Sequence, residues 1–400
     1  MIKDIKFVIG SNYGDEGKGL VTDYFVSELK KKYSSSIVVL SNGGMQRGHT
    51  VVTPDDKRFV FHSFSSGTFA DADTYYSENF IFNPTLFRQE YEKFYNLGNK
   101  IPKVYIHKNC RFSTIFDMIL NNMIEEYRGN DKHGSVGVGI WETIRRYNIS
   151  SEMVSISDFY GFSRKEKNDY LKNLNKFFKE SINEYNISSN PEVYNSWWDI
   201  IGNSINIYKH TLNDFEFCKD KIVITDNSIC NQYESIVFEN SQGLLLDEYY
   251  SNDSIHSTPS SCGLDYPIKI ANTLDLSNLE NIPEVCYVSR SYITRHGAGP
   301  LKDETDAYGL FGKDYEDPTN VWNSSQEHLR FSRLNYIELN ERTNKDFEKY
   351  RSNSKVKLIK SCCITHADEI EASNDLLDAS KVYISYGKTR ENVKKKIVDN

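Results

Sequence analysis

An acidic residue stands inside a glycine-rich segment close to the start of the chain. The segment Gly14-Asp15-Glu16-Gly17-Lys18-Gly19 follows the apolar run Phe7-Val8-Ile9 and precedes a stretch with apolar residues at helical spacing. A strand, a glycine-rich turn and a helix in this order present backbone N–H groups and a positive helix end to a phosphate. A carboxylate in that cradle opposes the anion unless it holds a metal ion or takes a proton. Asp15 therefore indicates chemistry at the phosphate rather than simple binding.

The same segment differs from a Walker A loop at two positions. Gly19 stands where a metal-binding Ser or Thr belongs, and Asn12 replaces the first glycine. Lys18 is expected to neutralise phosphates as a point charge. The plainer alternatives are that Asp15 only caps the following helix and that Lys18 is a solvated helix-start residue. The first is disfavoured because Asp15 lies inside the loop, and the second because the helix dipole repels a cation there.

Seven β-rich runs must form the sheet that positions these residues. Helical patterns separate many of the runs, which favours an α/β fold with a mainly parallel, doubly wound sheet and a P-loop-like phosphate site. The predicted strands are Phe7–Gly10, Ile37–Leu40, Phe59–Phe64, Ile236–Glu239, Val285–Ile293, Lys357–Thr365 and Val382–Ser385. Residues 163–221 have helical spacing and are interpreted as a helical insert within a single domain that covers residues 1–400.

Polar loops, most of them rich in glycine, follow five of these predicted strands. In open α/β sheets, ligands bind beyond the carboxyl ends of the strands. The pattern therefore predicts one large site for several ligands at that edge of the sheet. The loops are residues 42–50, 240–243, 295–300, 365–368 and 386–388.

The composition of the chain excludes several classes of function. A formal net charge of -8 argues against a nucleic-acid binder, and no run has the length of a membrane span. The N-terminus lacks the pattern of a signal peptide. Seven cysteines without a CxxC pair are typical of reduced thiols, and the vicinal Cys362-Cys363 is expected in the core. These features predict a soluble cytoplasmic protein.

Residues 14–19, together with the motifs at 48–50, 239–243 and 294–300, resemble the adenylosuccinate synthetase family. The motifs occur in the family's order across nearly the whole chain. The resemblance implies a carbon–nitrogen ligase, expected to act as a homodimer. It would use GTP and Mg²⁺ to phosphorylate the 6-oxygen of IMP. Aspartate would then displace the phosphate, giving adenylosuccinate, GDP and phosphate.

Two other functions remain open. One is a variant that uses GMP or dGMP as the acceptor and ATP or dATP as the donor, giving an N6-succino-2-amino-adenylate. The retained Asp15 favours IMP, because that variant branch of the family tends to carry a small residue there. The other is a non-catalytic nucleotide sensor, which would be expected to have lost Asp15 or His49.

The resemblance also implies roles for individual residues. Asp15 would be the base for the purine N1–H, and His49 the acid at the 6-oxygen, with Gln242 as the third catalytic residue. Asp15 and the Gly48 carbonyl would bind Mg²⁺. The nucleoside triphosphate would contact Gly14, Glu16, Gly17, Lys18, Gly19, Gly48, His49, Thr50, Arg330, His366, Asp368, Ser385 and Gly387. The acceptor nucleotide would contact Asp15, Lys18, Gln46, Ser135, Val136, Arg146, Gln242 and Ser257. The amino acid would contact Ser324, Ser325, His328 and Arg330.

Three positions depart from the family's pattern. Val136 stands where a threonine is usual, His328 where an arginine is usual and His366 where a lysine is usual. These changes leave open the acceptor, the amino acid and the choice between GTP and ATP. Arg145 or Arg146 would supply the phosphate-binding arginine that the family lends across its dimer interface, although a solvated helix end explains them nearly as well.

Overall fold

In the computed structural model, the described residues are 1–149, 153–248, 256–315, 317 and 328–397. The α-helices found there are α1 (Lys18–Lys30), α2 (Pro84–Asn96), α3 (Ile115–Arg128), α4 (Ile140–Ile149), α5 (Ile156–Gly161), α6 (Arg164–Glu184), α7 (Pro191–Ser196), α8 (Trp198–Gly202), α9 (Ser204–Lys219), α10 (Asp265–Ala271), α11 (Ala307–Phe311) and α12 (Tyr336–Arg351).

The strands in the same part of the chain number seventeen and are mostly short. They are β1 (Asp4–Gly10), β2 (Ser36–Leu40), β3 (His49–Val52), β4 (Arg58–Phe61), β5 (Asp73–Tyr76), β6 (Ile81–Phe82), β7 (Val104–His107), β8 (Arg111–Phe112), β9 (Ile222–Thr225), β10 (Ser235–Gly243), β11 (Glu284–Arg290), β12 (Tyr292–Arg295), β13 (Glu304–Thr305), β14 (Arg330–Arg333), β15 (Ile359–Thr365), β16 (Lys381–Ser385) and β17 (Val393–Ile397).

Ten of the strands form one central sheet in the order β17-β16-β15-β11-β1-β10-β2-β5-β7-β9. Every neighbouring pair in this sheet is parallel except β16 and β17. The prediction of a mainly parallel α/β sheet is therefore confirmed. Smaller sheets flank it: β12-β14-β13, β3-β4 and β6-β8.

The central strands are apolar on both faces because each face packs against a separate core. Along β1, Val8 belongs to one core, whereas Phe7 and Ile9 belong to the other. Such near-continuous apolar runs are typical of parallel sheets that helices cover on both sides. Cys362 and Cys363 alternate in the same way between the two cores. Both are buried and free, as expected for core residues.

The structure corrects two of the predicted strands. The run predicted as Val285–Ile293 breaks at Ser291, so that β11 stays in the central sheet while β12 joins the small antiparallel sheet. The run predicted as Phe59–Phe64 lies outside the central sheet, because β4 pairs with β3. Three strands at one end of the central sheet, β5, β7 and β9, were not predicted.

The predicted helical insert contains α6, α7, α8 and α9. Helix α6 begins with a capping box in which the Ser163 side chain accepts from Glu166 N–H while the Glu166 carboxylate accepts from Ser163 N–H. Its buried residues include Leu171, Leu174 and Phe178, which join the same core as α3. The division into one domain with an insert stays a prediction. Within the described residues, no helix has both the length and the apolar character that crossing a membrane requires.

Candidate active site

A cleft of about 1070 Å³ opens at the carboxyl edge of the central sheet. Its walls come from the loop after β1 and from all five loops that the sequence predicts at this edge. Those loops contribute, among others, Gln46, Gln242, His296, Asp368 and Gly387. Five of these segments end or follow β2, β10, β1, β15 and β16 of the central sheet, and the chain reaches residues 295–300 from β11 through β12. The fold thus gathers segments that lie up to about 370 residues apart in the sequence into one pocket.

In the phosphate loop after β1, the carboxylate of Glu16 accepts hydrogen bonds from the backbone of the same loop. Glu16 Oε1 accepts the backbone N–H groups of Asn12 and Gly14, each at 2.9 Å. The Lys18 ammonium lies 2.6 Å from Glu16 Oε2, and both side chains are almost completely buried. Gly17 has a φ of 86° where it precedes α1, a conformation that glycine adopts without strain. The Glu16 side chain therefore organises the loop, while Gly14, Gly17, Lys18 and Gly19 line the cleft.

Asp15 projects from this loop beside a histidine. Its Oδ2 lies 2.8 Å from His296 Nδ1, and its backbone carbonyl accepts from Arg290 Nε at 2.6 Å. Burial alone would raise the pKa of Asp15, but the hydrogen bond to His296 and the charges of His296, Arg290 and Lys18 hold the pKa below its usual value. The carboxylate is thus ionised at neutral pH and available as a proton acceptor or an oxygen ligand.

His49, the first residue of β3, is held by a buried carboxylate. Its Nδ1 lies 2.6 Å from Glu239 Oε1 and 2.9 Å from Arg47 Nη2, while its Nε2 lies 3.2 Å from the Ser241 carbonyl. Ser66 donates to the Glu239 carboxylate through both its backbone N–H and its hydroxyl. Burial and the Arg47 cation lower the pKa of His49 to about 4, against the opposing effect of Glu239. His49 is therefore a neutral imidazole in a fixed orientation.

Two glutamines line the cleft with unsatisfied acceptors. The Oε1 atoms of Gln46 and Gln242 are buried and have no hydrogen-bond partner in the described part of the chain. Buried amide oxygens are rarely left without a donor. These two side chains are therefore suited to accept hydrogen bonds from a bound ligand.

The predicted second phosphate loop follows α3. Gly134, Gly137 and Gly139 all have φ near 76°, so the loop turns its backbone N–H groups in a way that suits an anion. Ser135 Oγ donates to Asn121 Oδ1 at 2.7 Å. Val136 is exposed at the cleft and offers no hydroxyl there. Ser257 also lines the cleft.

The structure does not bring Arg146 into the cleft. Its guanidinium is buried, with Nε 3.0 Å from Asp117 Oδ1 and Nη2 donating to the Phe112 carbonyl at 2.9 Å. The buried face of α4 turns it towards α3, so it joins these two helices and is not available to a nucleotide. Arg145 is ion-paired with Glu184 outside the cleft lining.

Three further predicted residues also lie outside the cleft lining. Arg330 pairs with Glu304 and donates to the carbonyls of Gly297 and Gly299. It therefore stabilises the loop at residues 295–300 without lining the cleft. Ser385 is buried and donates to the Gly387 carbonyl at 2.8 Å. His328 is exposed just before β14. Ser324 and Ser325 lie outside the described residues.

Strand β15 ends at Thr365 and is followed by His366, and both residues line the cleft. The Thr365 hydroxyl donates to the Glu16 carbonyl at 2.8 Å, which ties the phosphate loop to this strand. Burial and the Arg290 cation lower the pKa of His366 to about 3, so the ring is neutral. Asp368 is exposed at the rim, and Thr50 and Gly387 lie in the same lining.

Several functional contacts were not predicted from the sequence. Glu239 belongs to a recognised motif, yet nothing in the sequence links it to His49, 190 positions away. Arg47 and His296 also lie in recognised loops, where only their partners reveal a role. Arg290 ends β11, and a charged residue at the carboxyl end of a central strand is the signal that indicates it.

The fold and the cleft define the class of this chain: an α/β protein that presents two glycine-rich loops to one large cleft at the carboxyl edge of its sheet. A family model described as adenylosuccinate synthetase matches residues 7–396. The chain belongs to the adenylosuccinate synthetase family.

Curated relatives carry the same description at modest identity. The adenylosuccinate synthetase of Synechocystis sp. is 29% identical over 320 residues, which are 75% of this chain and 62% of the relative. That of Limosilactobacillus reuteri is 26% identical over 309 residues, 76% of this chain and 65% of the relative. The chain thus spans less than two thirds of the length of these relatives.

Two solved structures share the fold. The fully ligated adenylosuccinate synthetase of Plasmodium falciparum has a TM-score of 0.65 at 17% identity, covering 99% of this chain and 87% of that one. The succinoaminodeoxyadenylate synthetase (PurZ) of cyanophage S-2L, bound to dGMP and to dATP as an energy donor, has a TM-score of 0.62 at 13% identity. The match covers 98% of this chain and 95% of that one. At these identities the likeness extends to the fold alone.

Proposed function

We propose that this chain is a purine nucleotide ligase that joins L-aspartate to the 6-position of IMP. GTP would phosphorylate the 6-oxygen, and the aspartate amine would then displace phosphate, giving adenylosuccinate, GDP and phosphate. The observation that carries the proposal is the ionised carboxylate of Asp15 inside a phosphate loop, hydrogen-bonded to His296 and in one cleft with His49 and Gln242.

The residues of that cleft divide the chemistry between them. Asp15 takes the proton from the purine N1, which makes the 6-oxygen nucleophilic. In the neutral ring the proton lies on Nδ1 against Glu239, so His49 would donate from Nε2 to the transferring phosphoryl group only after it has taken up a second proton. Lys18 offsets the negative charge of the phosphates, and Gln242 offers an unsatisfied amide oxygen to the purine.

Mg²⁺ is the expected cofactor. The Asp15 carboxylate and the Gly48 carbonyl are oxygen donors, the kind that this cation prefers, and both residues line the cleft. Among the described residues there is no group of three or more His, Cys, Asp or Glu side chains that would hold a metal ion alone. Mg²⁺ is commonly held by one or two carboxylates together with the phosphates of a substrate. When bound, Mg²⁺ would neutralise charge on the transferred phosphoryl group.

The remaining partners follow from the family. GTP would lie along Gly14–Gly19 and Thr50, with its base near His366, Asp368 and Gly387. Aspartate would approach near the loop that Arg330 braces. A homodimer in the cytoplasm stays a prediction.

A (d)GMP-directed reaction is the second candidate, and the fold likeness to PurZ, whose structure holds dGMP and dATP, is what favours it. A sensor without catalysis is the weakest candidate, because Asp15 and His49 are both in place.

The test is a matrix of acceptors and donors incubated with aspartate and Mg²⁺. We expect phosphate release, and a succinylated product by mass spectrometry, only when IMP, aspartate and GTP are all present. A product from GMP or dGMP would move the assignment to the second candidate. Triphosphate turnover without a purine acceptor, or no turnover at all, would contradict the ligase.

The variant Asp15→Asn tests the proposed base. It should lower kcat by at least about a hundredfold, because it removes the proton acceptor while keeping size and backbone preference. Asp71→Asn is the matched control, since Asp71 also has a positive φ but lies on the surface with Lys100. Near-normal turnover in Asp15→Asn would remove the base from the mechanism.

A further inference from the structure

A glutamate of the chain occupies the second phosphate loop. Glu125, in the last turn of α3, accepts the backbone N–H groups of Gly134 at 2.8 Å and Ser135 at 3.1 Å, both through Oε2. Consecutive N–H groups from a turn with glycine at positive φ form the concave donor set that binds phosphate oxygens. A carboxylate oxygen there has the charge and the hydrogen-bonding role of a phosphate oxygen.

An arginine pairs with that glutamate at the edge of the cleft. Arg128 Nη1 lies 2.7 Å from Glu125 Oε1, and both side chains keep some exposure, 29% and 13%. Glu125, Arg128, Gly134 and Ser135 all line the cleft. The pair is therefore accessible from the cleft, unlike the buried pair of Arg146 and Asp117.

The second loop adjoins the segment that holds Asp15. His296 contacts Asp15, and a Cβ on the next residue, Gly297, would lie 3.6 Å from Gly134 Cα. Consecutive Cα atoms are about 3.8 Å apart. The second phosphate loop, at Gly134, and the proposed base, Asp15, therefore both adjoin the residue pair His296-Gly297. A single nucleotide can contact both.

We propose that Arg128 binds the 5′-phosphate of the acceptor nucleotide from within the same chain, and that Glu125 holds the position of that phosphate until the nucleotide arrives. The incoming phosphate takes the two N–H groups from Glu125, and Arg128 exchanges the carboxylate for the phosphate. The step exchanges hydrogen bonds and an ion pair, and no covalent bond is made or broken. The inference rests on the proposed function only for the identity of the ligand as a purine nucleotide.

Calorimetric binding of IMP and of GMP to the full chain tests this without any turnover. Arg128→Gln should weaken the binding of the nucleotide that the wild type binds by about 10- to 100-fold, because a charge-assisted hydrogen bond to phosphate is lost. Glu125→Gln should tighten it by about 3- to 10-fold, because the phosphate no longer displaces a charged group. Inosine or guanosine, which lack the phosphate, should bind both variants as they bind the wild type.

Arg351→Gln is the matched control. Arg351 makes the same i,i+3 ion pair, with Glu348, in the last turn of α12 and outside the cleft lining. Unchanged nucleotide binding by an Arg128→Gln variant that melts like the wild type would overturn the inference. If that variant melts early, Glu125→Gln decides, and unchanged or weaker binding would overturn it.

Weakening by Arg145→Gln in place of Arg128→Gln would assign the arginine to a second subunit and also overturn the inference. The proposed ligase activity would be contradicted separately, by phosphate-dependent binding of the nucleotide without any turnover. The inference fails alone if turnover is found and the KM for the acceptor is unchanged in Arg128→Gln.

Discussion

At the scale of single residues, Gly19 explains why the phosphate loop lacks the Ser or Thr of a Walker A loop. A Cβ at Gly19 would lie 2.7 Å from the Thr50 carbonyl oxygen and 3.2 Å from His49 Cβ. Gly19→Ala should therefore push α1 away from β3 and displace His49. We expect kcat to fall by roughly 100-fold and the free energy of unfolding by about 1–3 kcal/mol, measured by steady-state kinetics and urea unfolding.

The control for Gly19→Ala is the same substitution at another helical glycine. Gly161, at the end of α5, has no atom within 4 Å of an added Cβ. Gly161→Ala should keep full activity and unfold no more easily than the wild type, because alanine favours a helix. Equal effects of the two substitutions would show that crowding at His49 is not the cause.

Residues differ in how far their roles can be predicted from sequence. Asp15 stands out because a carboxylate is chemically unexpected in a phosphate loop. Arg146 does not, because the sequence does not reveal that its partner Asp117, 29 positions earlier, shares a buried helix interface with it. The role of Arg128 depends likewise on where the Glu125 carboxylate points. Residue types and their spacing in the sequence predict which loops meet. Burial in the folded chain decides which charged side chains remain available to a ligand.

At the scale of elements, one buried ion pair joins α1 to the turn before β17. Arg390 Nη1 lies 3.0 and 3.2 Å from the two oxygens of Asp23, whose side chain is fully buried. Burial raises the pKa of Asp23 from 3.8 to about 6, although Arg390 partly opposes this. Between these values the folded chain binds more protons than the unfolded chain. The contribution of the Asp23 carboxyl group to the free energy of unfolding is full below pH 3.8 and is lost as the pH rises through about 6.

Asp23→Asn removes this titration while keeping a side-chain oxygen for Arg390. The free energy of unfolding of the variant, relative to wild type, should rise between pH 4 and pH 7 by up to about 3 kcal/mol. Urea unfolding at both pH values measures this. Asp71→Asn should show a small change of opposite sign, because Lys100 lowers the pKa of that exposed carboxyl. A pH-independent difference for Asp23→Asn would refute the assigned shift.

Three of the strands that escaped prediction are short and lie together at one end of the central sheet. Strands β5, β7 and β9 have four residues each, too few for a periodicity to stand out. In β9, Val223 and Ile224 are exposed, so its apolar residues do not mark a buried face. The sequence gives no signal for the break at Ser291 either. Both halves of that run favour a strand, and they differ only in the strands with which they pair, β1 and β15 for β11 and β14 for β12.

At the scale of the whole molecule, the cleft joins segments that are adjacent in the sheet but distant in the sequence. Five of the six segments belong to β16, β15, β1, β10 and β2 of the central sheet, and the sixth, residues 295–300, follows β12, which continues the chain from the central strand β11. Each segment alone is short and polar, and the parallel order of the central strands turns five of them towards one edge, which the sixth reaches through β12. The sequence motifs predict this convergence, because the carboxyl ends of parallel strands share an edge.

A ligand that spans these loops should therefore stabilise the fold as one unit. At a ligand concentration of about 100 times Kd, binding to the folded state adds about 2.7 kcal/mol per ligand. We expect IMP and a non-hydrolysable GTP analogue, added together with Mg²⁺, to raise the melting temperature in a single transition, measured by calorimetry. Inosine and guanosine at the same concentrations should raise it little, because both phosphate loops stay empty of phosphate. Equal stabilisation by nucleosides and nucleotides, or a shift confined to one of two transitions, would mean that the loops do not act on a shared ligand.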